Sequence, residues 1–220
     1  MPGSLETRRP GVVDYAAGLE LQAALVEERR AGTISDTLLL LQHPPVITLG
    51  VKTRQEPNHI VASEAELARE GVVVHETGRG GDVTYHGPGQ LVGYPILDLR
   101  PNRCDVHRYV RDLEEVLIQA LRDFGVTGTR VQGLSGVWVG EAGKERKIAA
   151  IGVRISRWIT SHGFALNVAT DLRHFRLIVP CGIADRGVTS IEQELGRGVP
   201  MAEVEASVER AFTAEFGTRT

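Results

Sequence analysis

Residues 137–168, VWVGEAGKERKIAAIGVRISRWITSHGFALNV, hold three runs rich in β-branched and aromatic side chains, separated by short turns. Val137 to Val139, Lys147 to Ile155 and Trp158 to Val168 read as an antiparallel meander. The Gly140–Gly143 turn joins the first two. Strands linked by tight turns need none of the crossover helices that a parallel sheet demands. Around this meander the chain mixes helices and strands without strict alternation. The sequence therefore predicts an α+β fold: a mixed, largely antiparallel sheet flanked by helices. At 220 residues and 23.9 kDa, a single domain over residues 1–220 can bury its core without a disulfide or a metal.

Caps and periodicity place the remaining elements. A first helix is predicted from Asp14, as N-cap, to Ala31, with Gly32 behind it and Tyr15, Leu19, Leu25 and Val26 facing inward. Thr37 to Gln42 is almost wholly apolar and reads as a buried strand, stopped by His43-Pro44-Pro45; Val46 to Leu49 resumes it. Ser63-Glu64-Ala65-Glu66 is a capping box for a short helix ending near Glu70 and closed by Gly71. Strands are predicted at Val72–His75 and Leu91–Leu97. Asp105 caps the clearest helix, which runs to Phe124. Its apolar stripe is Val106, Tyr109, Val110, Leu113, Val116, Leu117, Ala120 and Leu121 at helical spacing. A last amphipathic helix covers Pro200 to Phe216, with Met201, Val204, Val208, Ala211 and Phe212 inward.

Composition excludes several function classes. The formal net charge is -3 and the pI about 6.2, so global charge gives no push toward nucleic acid or an anionic membrane. No apolar run approaches the ~18 residues of a membrane span. Met1 to Pro10 is polar and carries Arg8 and Arg9, which predicts no secretory signal and a cytoplasmic chain. Cys104 and Cys181 are the only cysteines, too few for a disulfide framework or a four-cysteine zinc site. The only lysines among 25 basic residues are Lys52, Lys144 and Lys147, so each invites the question why it is not arginine.

Four segments have the makings of a site. Gly78 to Gln90 packs five glycines, a proline, an arginine and a histidine into thirteen residues. Glycines let a backbone approach a ligand and expose its N–H groups, and Arg79 suits a carboxylate or phosphate. The segment is neither a P-loop nor GxGxxG, and a plain glycine-rich hairpin is the competing reading. Cys181, in Val179-Pro180-Cys181-Gly182, sits where a corner would present it, although free cysteines are commonly small buried hydrophobes. Cys104 precedes the Asp105 cap, where a helix N-terminus favours a thiolate but the neighbouring carboxylate opposes it. Cys104 and His107 alone make a weak metal signal. Lys147 opens the apolar strand Ile148–Val153, where partial burial would make it a base or a charge partner for a thiolate. His86 and His162, each followed by glycine, are open as bases, ligand donors or structural residues. Lys144, Arg146, Lys147, Arg154 and Arg157 against Glu145 make a local charge of +4. It suits an acidic partner, or is a solvated face.

Taken in order, Arg79 to Pro95, Gly136-Val137-Trp138, Lys147 to Gly152, His162 to Asn167 and Pro180-Cys181-Gly182 resemble the octanoyl-[acyl carrier protein]:protein N-octanoyltransferases, the lipoate biosynthesis protein B family. The likeness covers about residues 12–195. It implies a fold shared with lipoate ligases and biotin protein ligases. It implies that Cys181 takes an octanoyl group as a thioester and that Lys147 partners it. Arg79, Gly80, Gly81, Asp82, Val83, Thr84, Tyr85 and His86 match segments that line the acyl pocket; so do Ala150, Ile151 and Gly152, and Gly163, Phe164 and Ala165. The family often has Gln or Lys at position 82, so Asp82 brings an unusual charge. The implied donor is octanoyl-acyl carrier protein. The implied acceptor is a lysine on a lipoyl domain of a 2-oxoacid dehydrogenase or on glycine-cleavage H protein. No cofactor, metal, nucleic acid or membrane partner is implied.

The chemistry of the residues agrees with that resemblance. A thiol of pKa ~8.5 is only a few per cent thiolate at neutral pH, and a nearby ammonium favours the anion. Arginine would supply the charge but not give up a proton, which accounts for lysine at 147. Acyl exchange between thioesters is nearly isoenergetic and the final amide lies downhill, so no ATP is needed. Backbone N–H groups near Cys181 or Gly163 suit an oxyanion, and Ile148–Val153 with Leu91–Leu97 would wall an alkyl slot. Three rivals remain: an ATP-dependent lipoate or biotin ligase on the same fold, a cysteine hydrolase using His86 or His162, and a non-catalytic acyl-binding module.

Overall fold

Leu38 to Leu41 are all fully buried, yet they do not share one core. Leu38 and Leu40 face one apolar cluster and Leu39 and Leu41 another, as the two-residue period of a strand requires. The central sheet is thus covered on both faces. The computed structural model describes residues 5–54, 59–179 and 186–217.

Its elements in order are β1 (Glu6–Val12), α1 (Tyr15–Ala31), β2 (Thr37–Gln42), β3 (Val46–Leu49), α2 (Glu64–Arg69), β4 (Val73–Glu76), β5 (Val83–His86), β6 (Gln90–Ile96), α3 (Val106–Arg122), β7 (Val137–Val139), β8 (Arg146–Ser156), β9 (Ile159–Asn167), α4 (Ile191–Leu195) and α5 (Met201–Phe216). A large sheet has the order β1-β2-β6-β9-β8-β7 and a small one the order β4-β3-β5. β1 runs parallel to β2, and β4 parallel to β3; every other pairing is antiparallel. The α+β expectation and the β7–β8–β9 meander hold. α3 and α5 pack on one face of the large sheet, and α1 on the other beside β6 and β9. Among the described residues no helix is long and apolar enough to cross a membrane.

Several local expectations are met by geometry. Gly32 adopts the left-handed conformation that ends α1, and Ser63 with Glu66 forms the capping box of α2. The Asp105 side chain accepts from Arg108 N–H at the start of α3. Others need correction. Asp14 occupies the N-cap of α1 but its side chain makes no capping hydrogen bond. Val106, assigned to the buried stripe of α3, is 44% exposed, as are its neighbours His107 and Arg108; burial on this helix begins at Tyr109.

Two strands, β1 and β5, carry no clear signal in the sequence. β1 is an edge strand with its side chains largely in solvent, and a polar edge carries no alternating signal. Arg8 there pairs with Glu6 at 2.7 Å, and Arg9 reaches Glu205 and Glu209 of α5. β5 lies inside the glycine-rich segment, where glycine and proline mask four regular residues. On α3 the sequence also gives no hint that Glu114 is fully buried. Its carboxylate accepts from Arg111 at 2.6 Å, Arg130 at 3.1 Å and the Gly136 N–H at 3.0 Å. Those bonds offset the cost of burying its charge.

Candidate active site

The two sheets meet at the glycine-rich loop that precedes β5. Gly80 N–H donates to Val153 O of β8 at 2.9 Å, and Lys52 N–H donates to Gly81 O at 3.1 Å. A Cβ on Gly152 would lie 2.8 Å from Gly80 O, so glycine at both positions lets backbone cross backbone. Beside this seam is a cavity of about 190 Å³. Its mouth carries exposed Lys52, Gly133 and Ser135, and its deep end buried Tyr15, His86, Gln90, Tyr94 and His162.

Lys147 lines this cavity, and a local irregularity puts it there. Trp138 and Val137 are adjacent on β7 but oppose Lys147 and Ala149 on β8, leaving Ile148 as an extra residue. A bulge of this kind re-aims a side chain. Ile148 and Ala149 go to the helix-side core, while Lys147 joins Ala150 and Gly152 at the cavity. Burial pushes the Lys147 ammonium down from 10.5 to about 8. Its Nζ sits 4.6 Å from the centre of the Trp138 ring, a cation–π contact that partly replaces lost water. At neutral pH, roughly a tenth of such a lysine is free base, a few hundredfold more than for an exposed one.

Of the residues expected to line the acyl pocket, Arg79, Gly81, Asp82, Val83, Thr84 and His86 border the cavity, as do Ala150 to Gly152 and Gly163 to Ala165. Gly80 and Tyr85 do not. Gly80 makes the seam, and the Tyr85 ring is turned into the small sheet's own core, 4.9 Å from His174 and 5.6 Å from Phe175. Of the two stretches expected to wall an alkyl slot, Ile148 and Leu91 face the helices instead. The apolar wall includes Ile151, Phe164, Ala165, Phe175, Val188 and Leu134. Gly93 makes room for it: a Cβ there would lie 2.1 Å from Cζ of the Phe164 ring.

The polar lining is ordered by residues the sequence reading did not single out. Arg79 is buried, and its guanidinium donates to Thr48 Oγ1 at 2.9 and 3.1 Å, Thr48 O at 2.7 Å and Gly80 O at 3.1 Å. It braces the loop against β3, and burial lowers its pKa. His86 Nδ1 lies 2.7 Å from Gln90 Oε1, while the Gln90 amide donates to Tyr85 O and Asn167 Oδ1. The imidazole therefore carries its proton on Nδ1. Burial pushes His86 down to about 3 and His162 to about 4, so both are neutral at physiological pH. Asp82 is buried and paired with His59.

Cys181 lies outside the described residues; both flanks of its segment are described. Val179 N–H donates to His59 O at 2.7 Å, on the near side. On the far side Lys147 N–H donates to Gly187 O at 2.9 Å and Thr189 N–H to Lys147 O at 3.0 Å. Cys104 is exposed, with its sulfur 3.6 Å from Leu99 O. The +4 stretch is dispersed: Arg146 pairs with Glu194 at 2.9 Å, Glu145 with Arg186, and Lys147 faces the cavity.

Comparison with known proteins places this geometry. Residues 14–213 match the family described as lipoyl protein ligase A/B catalytic domain. The chain is 56% identical over 210 residues to an octanoyltransferase of Chloroflexus aggregans, covering 95% of this chain and 93% of that protein. It is 56% identical over 210 residues to an octanoyltransferase of Myxococcus xanthus, covering 94% of this chain but 58% of that longer protein. A bipartite lipoate protein ligase from Thermoplasma acidophilum, solved with its E2 lipoyl domain, shares the fold at a TM-score of 0.69 and 18% identity, over 98% of this chain and 84% of that one. Biotin protein ligase from Aquifex aeolicus, solved with biotin and ATP, does so at 0.57 and 16%, over 97% and 70%. The chain belongs to the lipoyl protein ligase A/B catalytic domain family and, within it, to the octanoyltransferases, which are acyltransferases.

Proposed function

We propose that the protein, as one catalytic domain over residues 1–220 in the cytoplasm, moves an octanoyl group from octanoyl-acyl carrier protein to a lysine of a lipoyl domain. The lipoyl domain belongs to a 2-oxoacid dehydrogenase or to glycine-cleavage H protein. Cys181 carries the acyl group between the two as a thioester. The observation that carries this reading is Lys147, a half-desolvated amine on a cavity wall whose backbone is bonded to Gly187 and Thr189, just past the Cys181 segment.

The chemistry divides into two exchanges. In the first, charged Lys147 favours the Cys181 thiolate, which attacks the donor thioester; the bond from the acyl carbon to the carrier's sulfur breaks, and Lys147 gives its proton to the departing sulfur, releasing the carrier's thiol and leaving the lysine neutral. In the second, the acceptor ammonium gives one proton to neutral Lys147; its nitrogen attacks the acyl carbon, the C–S bond breaks, and the second proton goes to the departing sulfur. A pKa near 8 serves both exchanges, because each protonation state is populated at neutral pH. Arg79 to His86, Ala150 to Gly152 and Gly163 to Ala165 hold the alkyl chain. The hydrolase rival is disfavoured by pKa: imidazoles that protonate only near 3 and 4 are feeble bases toward a thiol.

Intact mass after mixing with octanoyl-acyl carrier protein tests this. One octanoyl adduct should form, labile to hydroxylamine, absent in Cys181→Ser and slow to appear in Lys147→Ala. No adduct, a stable adduct on Cys104, or acyl-adenylate formation with ATP and free octanoate would overturn it.

A further inference from the structure

Lys147 and Gly152 stand five positions apart on β8, but the bulge at Ile148 takes up one of them, so the span is about four strand steps, ~13 Å at ~3.3 Å per residue. The paired strands β8 and β9 offer a changing wall along that span. Ala150 faces Ala165, Ile151 faces Phe164, and Gly152 faces Gly163. The glycine pair presents no side chain, and the next residue on β9 is His162, opposite Val153. On the acyl-transfer reading, in which the acyl chain starts at the Lys147 end of the cavity, a saturated chain advances about 1.25 Å per carbon from bonds of ~1.5 Å, so a thioester sulfur, eight carbons and a terminal methyl surface fill ~13 Å. A chain two or three carbons longer would pass the glycine pair and press on His162.

His162 is an unusual residue for that place. Its backbone is left-handed, with φ at 55° inside a strand, a conformation that non-glycine residues avoid and that recurs at functional sites. Gln22 of α1, itself buried, accepts the His162 N–H at 2.7 Å through Oε1. The Nε2 of Gln22 is buried and has no hydrogen-bond partner among the described residues, so the amide is retained at a cost while it secures one backbone group. The imidazole is buried at the deep end of the cavity, its ring edge-on to Tyr94 with centroids 6.2 Å apart.

We propose that His162, fixed by Gln22, is the stop that sets acyl chain length: it admits a chain of about eight carbons and rejects longer ones by meeting their methyl end with a wedged polar ring. Gln22 is its positioning residue. An alkyl terminus pressed against the imidazole meets ring nitrogens that it cannot satisfy, so it gains little from the contact. This inference rests on the acyl-transfer reading for its substrate, but the shape of the cavity is a separate matter.

The variant His162→Gly suits the test, because glycine adopts this φ without strain. Acyl-enzyme formation is followed by intact mass with octanoyl-, decanoyl- and dodecanoyl-acyl carrier protein. The native protein should prefer octanoyl over dodecanoyl by at least about tenfold, a factor of the size that single methylenes confer. In His162→Gly that ratio should fall several-fold, whatever the octanoyl rate becomes. His162→Asn, shorter but polar and tolerant of the backbone, should fall between. Gln22→Leu should loosen the preference in the same direction. An unchanged ratio in His162→Gly, or a shift toward shorter chains, overturns the proposal. Thermal stabilisation by sodium octanoate, decanoate and dodecanoate reads the same preference without any chemistry. If the native protein forms no adduct while the fatty-acid preference still moves to longer chains in His162→Gly, the transfer reading fails and the stop stands. If adducts form and neither readout shifts, the stop fails alone.

Discussion

At the scale of single residues, Lys147 shows function bought against stability. Its pKa of about 8, against an ordinary 10.5, measures a burial penalty on the charged form, on the order of 3 kcal/mol. The contact with Trp138 returns ~1 kcal/mol. Below pH 8 the side chain is charged in both folded and unfolded chains, so the penalty is fully present. Between pH 8 and 10.5 the unfolded chain still holds the proton that the folded one has released, and the penalty fades as pH rises. Lys147→Met should therefore raise the melting temperature at pH 7 by several degrees, at roughly 2–4 °C per kcal/mol for a chain of this size. At pH 10 the gain should shrink. Melting curves at both pH values decide it, and a variant that melts lower at pH 7 would show that the Trp138 contact outweighs burial.

At the scale of elements, β6 and β9 meet through glycine. Gly93 leaves the space that the Phe164 ring occupies, and Phe164 is cavity wall. Gly93→Ala should drive the ring off its rotamer and cost ~1–3 kcal/mol. It should also slow octanoyl adduct formation, because the displaced ring narrows the slot. Chemical denaturation and intact mass check the two halves; an alanine variant of native stability would show that the strands part easily. The elements also differ in how far they could be read in advance. α3, β2 and the β7–β8–β9 meander were legible because caps, a buried apolar run and glycine turns each have a local cause. The bulge at Ile148 was not: it arises from how β7 and β8 pair, and nothing in Lys147-Ile148-Ala149 signals a skipped partner. Hence Lys147 stands out in sequence as one of three lysines among arginines, at the head of an apolar strand, while the reason it reaches the cavity lies in its neighbour strand.

At the scale of the whole molecule, β1 shields the edge of a strand that is apolar on both sides. Deleting residues 1–11 should bare the backbone of β2 and increase self-association relative to the full chain. Size-exclusion chromatography with light scattering would detect this, and a truncated chain that stays dispersed would show the edge to be protected some other way. The site's supporting residues were invisible in sequence for a related reason. Gln22, Thr48, His59 and Glu114 are polar residues of ordinary solvent-facing types, and only the assembled fold turns them inward. Recognisable motifs revealed the cavity's lining; they could not reveal which distant polar groups hold that lining in place.

The four leucines of β2 carry one more consequence. A segment whose two sides are each spoken for by a different core has no spare phase. Exchanging one of these leucines for another aliphatic residue alters bulk alone. Inserting or removing a single residue ahead of Leu38 would hand each core the other's side chains. Natural drift in this stretch should accordingly be confined to swaps of like for like, with every change of length pushed out into the connections at residues 32–36 and 43–45.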